Sequence, residues 1–231
     1  MHEAARRCIA CFHPATAAGA ALVMILSLRP AAAGGLNVNV IGVNGKPVND
    51  VVATAAPMRA TAVARSRERM TAMMDQQHKA FVPQVLVIGR GTWVEFPNND
   101  SVSHQVYSFS PAKKFQLSLY KGELHSPQQF DQAGLVVLGC NIHDQMVGYI
   151  YVADTPYFGK TDASGSLRLK DLPQGRYRIN IWSPRVADDA PVLSQEVDVD
   201  VAGFATVGFK LRQGLRSSPQ PRPHPGAWDA Y

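Results

Sequence analysis

The hydrophobic and polar positions of this chain fall into short alternating runs rather than a sustained helical period. Residues 36 to 56 open with Leu36-x-Val38-x-Val40, break at Asn44-Gly45-Lys46-Pro47 and resume at Val51-Val52. Period-2 alternation interrupted by Asn-Gly predicts strand, turn, strand, with the turn of a hairpin. Between residues 81 and 152 the same alternation recurs at 84–88, 92–96, 104–109, 115–120, 135–140 and 148–152, punctuated by Gly and Pro. A third region carries Leu167-x-Leu169, Tyr177-x-Ile179-x-Ile181, Val197-x-Val199-x-Val201 and Val207-x-Phe209-x-Leu211. Strands at this density imply antiparallel sandwiches. The expected fold class is all-β, as two small β-sandwiches.

Three stretches depart from the pattern. Residues 58–78 are rich in Ala, Arg and Met without alternation, which predicts a short helix or linker. Residues 213–231 hold Pro219, Pro221, Pro223 and Pro225 among polar residues, a composition that predicts a disordered tail. Residues 1–33 read as an export signal. Arg6 and Arg7 are followed by a 12-residue apolar run, too short to span a bilayer, and by Ala31-Ala32-Ala33 as a small-residue cleavage site. A periplasmic or otherwise exported protein without a membrane span is expected.

Removing that signal changes the cysteine count more than the charge. The formal net charge of +5 falls to +3 on loss of three Arg and one Glu, which gives no case for a nucleic-acid partner. Cys8 and Cys11 leave with the signal, so Cys140 remains alone and cannot form an intrachain disulfide. A lone thiol in an oxidising compartment calls for an occupant, and a metal is the simplest one.

The residues around it supply the rest of a donor set. Cys140-Asn141-Ile142-His143-Asp144-Gln145-Met146 lies between two apolar runs and offers a thiolate, an imidazole and a thioether at spacing C-x2-H-x2-M. Soft sulfur ligands select copper, and two imidazoles, one thiolate and a weak axial thioether form the electron-transfer copper set. His104 supplies the second imidazole. Zinc suits Cys and His but seldom takes a thioether. Met70, Met73, Met74 and His78 are read as core filling rather than a second copper(I) site. His125 is read as a loop residue, and alternation places Val106 and Phe109 in the interior beside His104.

The 140–146 loop resembles the ligand loop of the cupredoxins, most nearly the amicyanin-like members. The likeness extends to Gly148-Tyr149-Ile150-Tyr151-Val152, to Phe81-Val82-Pro83-Gln84-Val85, and to the 35 residues that separate His104 from Cys140. It implies a cupredoxin domain at 79–154 of the kind found in methylamine-utilisation accessory proteins. One copper ion would be held by His104, Cys140, His143 and Met146, with His104 the buried imidazole and His143 the one near solvent. The resemblance places Gln105 where the family commonly has Asn, and Asp144 where it often has Pro. Both belong to the ligands' surroundings, and Asp144 would favour protonation and release of His143 from copper(I).

The phrases Thr161-Asp162-Ala163-Ser164-Gly165 and Leu172-Pro173-Gln174-Gly175-Arg176-Tyr177 resemble the carboxypeptidase-regulatory-like (transthyretin-like) sandwich. The Gly-Lys-Pro phrase of that family stands at Gly45-Lys46-Pro47. Residues 36–57 and 155–212 together make 80 residues, a sensible size for one discontinuous sandwich with the cupredoxin inserted. Tandem domains are the alternative. Pairing of the 38–42 strand with 176–182 or 205–211 marks insertion, and pairing with 84–88 marks the tandem arrangement.

The function expected is a one-electron carrier to a redox protein such as a dehydrogenase or cytochrome. Copper buffering or delivery, and an envelope carbohydrate- or protein-binding module, are the other classes. An enzyme is not expected, because beyond residue 33 the histidines are His78, His104, His125, His143 and His224, with no H-x-H pair for a catalytic copper.

Overall fold

The computed structural model describes residues 33–59, 70–122, 125–186, 193–201 and 203–216. The expected signal at 1–33, apart from Ala33, and the expected tail beyond residue 216 lie outside them. The described residues hold seventeen strands and no helix.

The chain begins in one sandwich with β1 (Ala33–Ile41) and β2 (Val52–Pro57). Ten strands then build another: β3 (Thr71–Met73), β4 (Asp75–Gln77), β5 (Ala80–Val82), β6 (Val85–Gly89) and β7 (Thr92–Glu95) come first. They continue with β8 (His104–Ser110), β9 (Lys113–Tyr120), β10 (Gln128–Phe130), β11 (Gly134–Gly139) and β12 (Val147–Ala153). The chain then returns to the first sandwich with β13 (Phe158–Lys160), β14 (Ser166–Pro173), β15 (Gly175–Trp182), β16 (Leu193–Val199) and β17 (Phe204–Lys210).

β1 is the centre of a three-stranded sheet, antiparallel to β14 and parallel to β17, with Val38 opposite both Leu167 and Val207. Of the two pairings the sequence left open, the partner is 204–210 and not 84–88. The facing sheet runs β13-β2-β15-β16. Leu36, Val38 and Val40 from one sheet meet Ala53, Ala55, Tyr177 and Ile179 from the other, all buried. Tyr177 is core, as its alternation requires, and its hydroxyl donates to the Pro173 carbonyl at 2.8 Å. Gly165 has φ +72°, and a Cβ there would lie 2.5 Å from the Val40 oxygen, so this turn against β1 requires glycine.

The Asn44-Gly45 turn forms, but it does not make a hairpin of β1 and β2. The only pairing at its base is the Ile41–Pro47 bridge, and the chain then crosses to the opposite sheet. Val48 and Val51 are buried and draw the segment across the core.

The ten-stranded region stacks a five-stranded sheet, β6-β12-β11-β8-β9, on a three-stranded one, β10-β7-β3. Val106, Val136, Leu138 and Ile150 face Met74, Val94, Phe96 and Phe130 in its core. Phe96, Phe115 and Phe130 form a ring cluster with centroids 5.5 to 6.5 Å apart.

Two expectations need correction here. Residues 71–77, expected as helix or linker, are the strands β3 and β4. Met74 is fully buried while Met70 and Met73 are exposed, a strand's pattern and not a helical stripe of core methionines. Residues 60–69 of that stretch lie outside the described residues. Phe109, expected inside, is 74% exposed, because Val106 and Ser108 take the inward positions of β8 and an odd-numbered residue must face out. Two residues with positive φ, His78 (52°) and Lys79 (55°), join β4 to β5 in a two-residue turn. That conformation normally selects Asn-Gly and costs other residues about 1–2 kcal/mol each.

The two sandwiches meet along a seam. Trp182 packs on Tyr149 and Tyr151 of β12, with both centroid distances 5.7 Å. Lys160 Nζ donates to Asp50 Oδ1 at 2.9 Å and to the Val85 carbonyl at 2.7 Å. Trp182 is thus a seam residue.

Candidate metal centre

The candidate donors converge because of strand register. β11 and β12 form an antiparallel pair that ends at Gly139–Val147, so residues 140–146 must be the loop that joins them. β8 meets β11 at Tyr107–Gly139. Three residues back along β8 from that pair is His104, and four residues past Gly139 is His143, the middle of the loop. Antiparallel pairing therefore carries His104 to the loop without any contact local in sequence.

His104 Nδ1, Cys140 Sγ and His143 Nδ1 form a triangle. The edges are 3.8 Å from Cys140 to His104, 3.9 Å from Cys140 to His143 and 3.1 Å between the imidazoles. These are the atoms that could hold a metal ion, all within 4.8 Å of one another. Metal–nitrogen bonds of about 2.0–2.1 Å and metal–sulfur bonds of about 2.3 Å in a trigonal plane put the nitrogens about 3.5 Å apart and sulfur about 3.8 Å from each. The triangle fits one cation. Met146 is 1% exposed in the same core as Cys140, and its N–H donates to the His143 carbonyl at 2.9 Å, closing the loop.

Burial differs across the set. His104 is 0% and Cys140 3% exposed, whereas His143 is half-buried. Burial opposes ionisation of the Cys140 thiol. Hydrogen bonds from His104, from the backbone of Gln105 and Ile142, and from His143 outweigh it and bring the thiol down to about 6. Burial likewise disfavours the charged imidazole of His104, yet its bonds to Cys140 and Asp100 hold it above the usual histidine value. The fold thus prepares a thiolate, the protonation state that metals bind.

Of the residues expected around the ligands, Gln105 joins the two ligand-bearing segments. Its Oε1 accepts from Asn141 Nδ2 at 2.5 Å. Asp144 is exposed on the loop. His125 lies outside the donor cluster and stacks edge-on to Tyr120 at 4.5 Å. His78 and the exposed Met70 and Met73 contribute nothing to the triangle.

Sequence reading missed Asp100. Its carboxylate accepts from His104 Nε2 at 2.7 Å, and its side chain is only 6% exposed. Burial raises its pKa, but hydrogen bonds from the Lys79 backbone, His104 and Ser101 prevail and hold it below the usual carboxylate value. The only sequence signal was an Asp four residues before the histidine, in a Pro-Asn-Asn-Asp-Ser stretch that reads as an ordinary turn.

No family model matches the sequence, and no curated protein matches it. Among solved structures, part of the chain is similar to cupredoxins. A purple cupredoxin from Nitrosopumilus maritimus aligns at 24% identity over 36% of this chain and 99% of its own, with a TM-score of 0.30. A reduced point mutant of amicyanin aligns at 22% identity over 44% of this chain and 98% of its own, with a TM-score of 0.33. A copper-containing nitrite reductase from Thermus scotoductus aligns at 24% identity over 50% of this chain but 28% of its own, with a TM-score of 0.35.

Proposed function

We propose that this protein is an exported one-electron carrier that holds a single copper ion at His104, Cys140, His143 and Met146. The observation that carries the reading is the triangle of one thiolate and two imidazoles, 3.1 to 3.9 Å on its edges, with a buried thioether in the same loop. Three soft or borderline donors plus a thioether suit copper better than zinc or a hard cation. Copper bound there would supply a one-electron couple.

The protein's own residues set the conditions for that couple. The short loop on the β11–β12 pair and the Gln105–Asn141 bond fix the donors in one arrangement, so little need move between oxidation states. Burial of His104, Cys140 and Met146 keeps water from the donors. His143, half-buried, is the donor nearest solvent and the port to a redox protein such as a dehydrogenase or cytochrome.

The test is an absorption spectrum of the copper(II)-loaded protein. An intense visible thiolate-to-copper band, bleached reversibly by one electron equivalent and lost in Cys140→Ser, is expected. Tight binding without that band, or preferential retention of zinc, would overturn the reading. Rapid loss of copper to a chelator, with slow electron exchange, would favour copper buffering.

A further inference from the structure

We infer that Asp100, held in place by the β4–β5 hairpin, is the positioning residue that fixes the ring orientation and donor strength of His104. The inference rests on the copper reading for its functional consequence, but not for its geometry.

The chain of contacts starts at the hairpin. At its tip, the Lys79 N–H donates to Asp100 Oδ2 at 2.6 Å, the same oxygen that accepts from His104 Nε2 at 2.7 Å. The left-handed conformation of Lys79 belongs to the turn that presents this N–H. At the hairpin's base, Asp75 accepts from Asn99 Nδ2 at 2.9 Å and from Gln77 Nε2 at 2.6 Å. The 97–101 loop is therefore clasped at two points by one hairpin. Asn98 secures the same loop from within. Its Oδ1 accepts from the Asp100 N–H at 3.0 Å, and its Nδ2 donates to the Tyr120 carbonyl at 2.7 Å and to the Val102 carbonyl at 3.0 Å. The Ser101 N–H donates to Asp100 Oδ1 at 2.6 Å, so both carboxylate oxygens are engaged.

A carboxylate only accepts, so when the ring is neutral Nε2 keeps the imidazole proton and Nδ1 gives up the one it donates to the Cys140 thiolate, leaving a lone pair that faces Cys140 and His143. A buried carboxylate on the far side of a ligating imidazole also raises its basicity, and partners of this kind orient the ligand. The negative charge beside His104 favours copper(II) over copper(I).

Asp100→Asn, Asp100→Ala and Asp100→Glu variants of the full chain test this. Asn and Ala are expected to bind copper about 10- to 100-fold more weakly in competition with a chelator. They are also expected to show a higher reduction potential, with Glu restoring part of both. Nitrogen NMR shifts of the His104 ring in the metal-free protein at alkaline pH supply a readout independent of copper. The proton is expected on Nε2 in the wild type and no longer confined there in Asp100→Ala. Unchanged tautomer, affinity and potential in correctly melting Asn and Ala variants would overturn the inference. If the wild type shows the Nε2 tautomer but no thiolate–copper band, the copper reading fails and the Asp100 assignment stands.

Discussion

The two sandwiches differ in the polar groups they bury. In the one built from β1, β2 and β13–β17, the buried polar residues are the small hydroxyls Thr54, Thr155, Thr161 and Ser183. Two of them satisfy the backbone directly: Thr155 donates to the Ala55 carbonyl at 2.7 Å and Thr161 to the Val48 carbonyl at 2.8 Å. In the sandwich built from β3–β12, the interior holds the hydroxyls of Thr92 and Ser108 and, beyond them, Asp75, Gln76, Asn98 and His104. An amide, a carboxylate or an imidazole in a core is costly unless its partners are complete. These groups lie on one side, around His104 and the loop that backs it. Tyr120, across the strand pair from His104, joins them: it donates to the Phe96 carbonyl at 2.5 Å and receives Gln76 Nε2. Burial raises the Tyr120 phenol to about 12, so it remains a donor at every physiological pH. The difference identifies one sandwich as scaffold and the other as the bearer of a site, independently of any metal.

Substitutions sharpen the contrast. The largest effect is expected from Cys140→Ser, which removes the strongest donor. Copper binding and the visible band are expected to be lost, with the metal-free fold retained by circular dichroism. Next is the ionisation of Cys140 in the metal-free protein. Its thiol titrates at about 6 against 9.0 unperturbed, so ultraviolet thiolate absorbance is expected to rise around pH 6, and to move upward in His104→Ala. Between these values the unfolded chain binds more protons than the folded one. The thiolate's contribution to stability is therefore complete above pH 9 and lost as pH falls through about 6. The raised His104 pKa opposes it, contributing below the ordinary histidine value and fading as pH rises through its folded one.

In the scaffold, Ile179→Ala is expected to cost about 2–5 kcal/mol in denaturant melts while leaving the position of the copper band unchanged. A shifted band would mean that the two cores are not independent. The smallest effect is expected at the seam. Trp182→Ala removes two aromatic pairs and is expected to cost about 1–3 kcal/mol, again without moving the band.

The strands and the site differed in how far the sequence revealed them. Most alternating runs became strands within a residue or two, since period 2 directly encodes one buried face, but the 197–201 run lies in a strand at 193–199 that leaves Val201 outside. The convergence of Cys140, His143 and His104 was legible because chemistry and spacing coincide in seven residues and the donor count called for one more imidazole. The three-residue strands β3, β4, β5, β10 and β13 were not, because so few residues carry no period and pairing alone defines them. The β4–β5 turn was hidden by His78-Lys79, a pair with no preference for the left-handed region it adopts. Asp100 was invisible for a related reason. Its partner Lys79 is 21 residues away in sequence, and only the folded hairpin brings that N–H to it. Phe109 was misplaced by reading its bulk in preference to its parity.

The return of the chain has a practical consequence. β2 and β13 are hydrogen-bonded neighbours, with Thr54 opposite Phe158, and the Ala55 N–H donates to the Tyr157 carbonyl at 2.8 Å. The point where the chain departs into the site-bearing lobe and the point where it comes back are therefore side by side on one sheet. A short Gly-Ser bridge from residue 58 to residue 156 would leave all seven scaffold strands intact. The scaffold behaves as a socket, into which the whole lobe plugs through two adjacent pins.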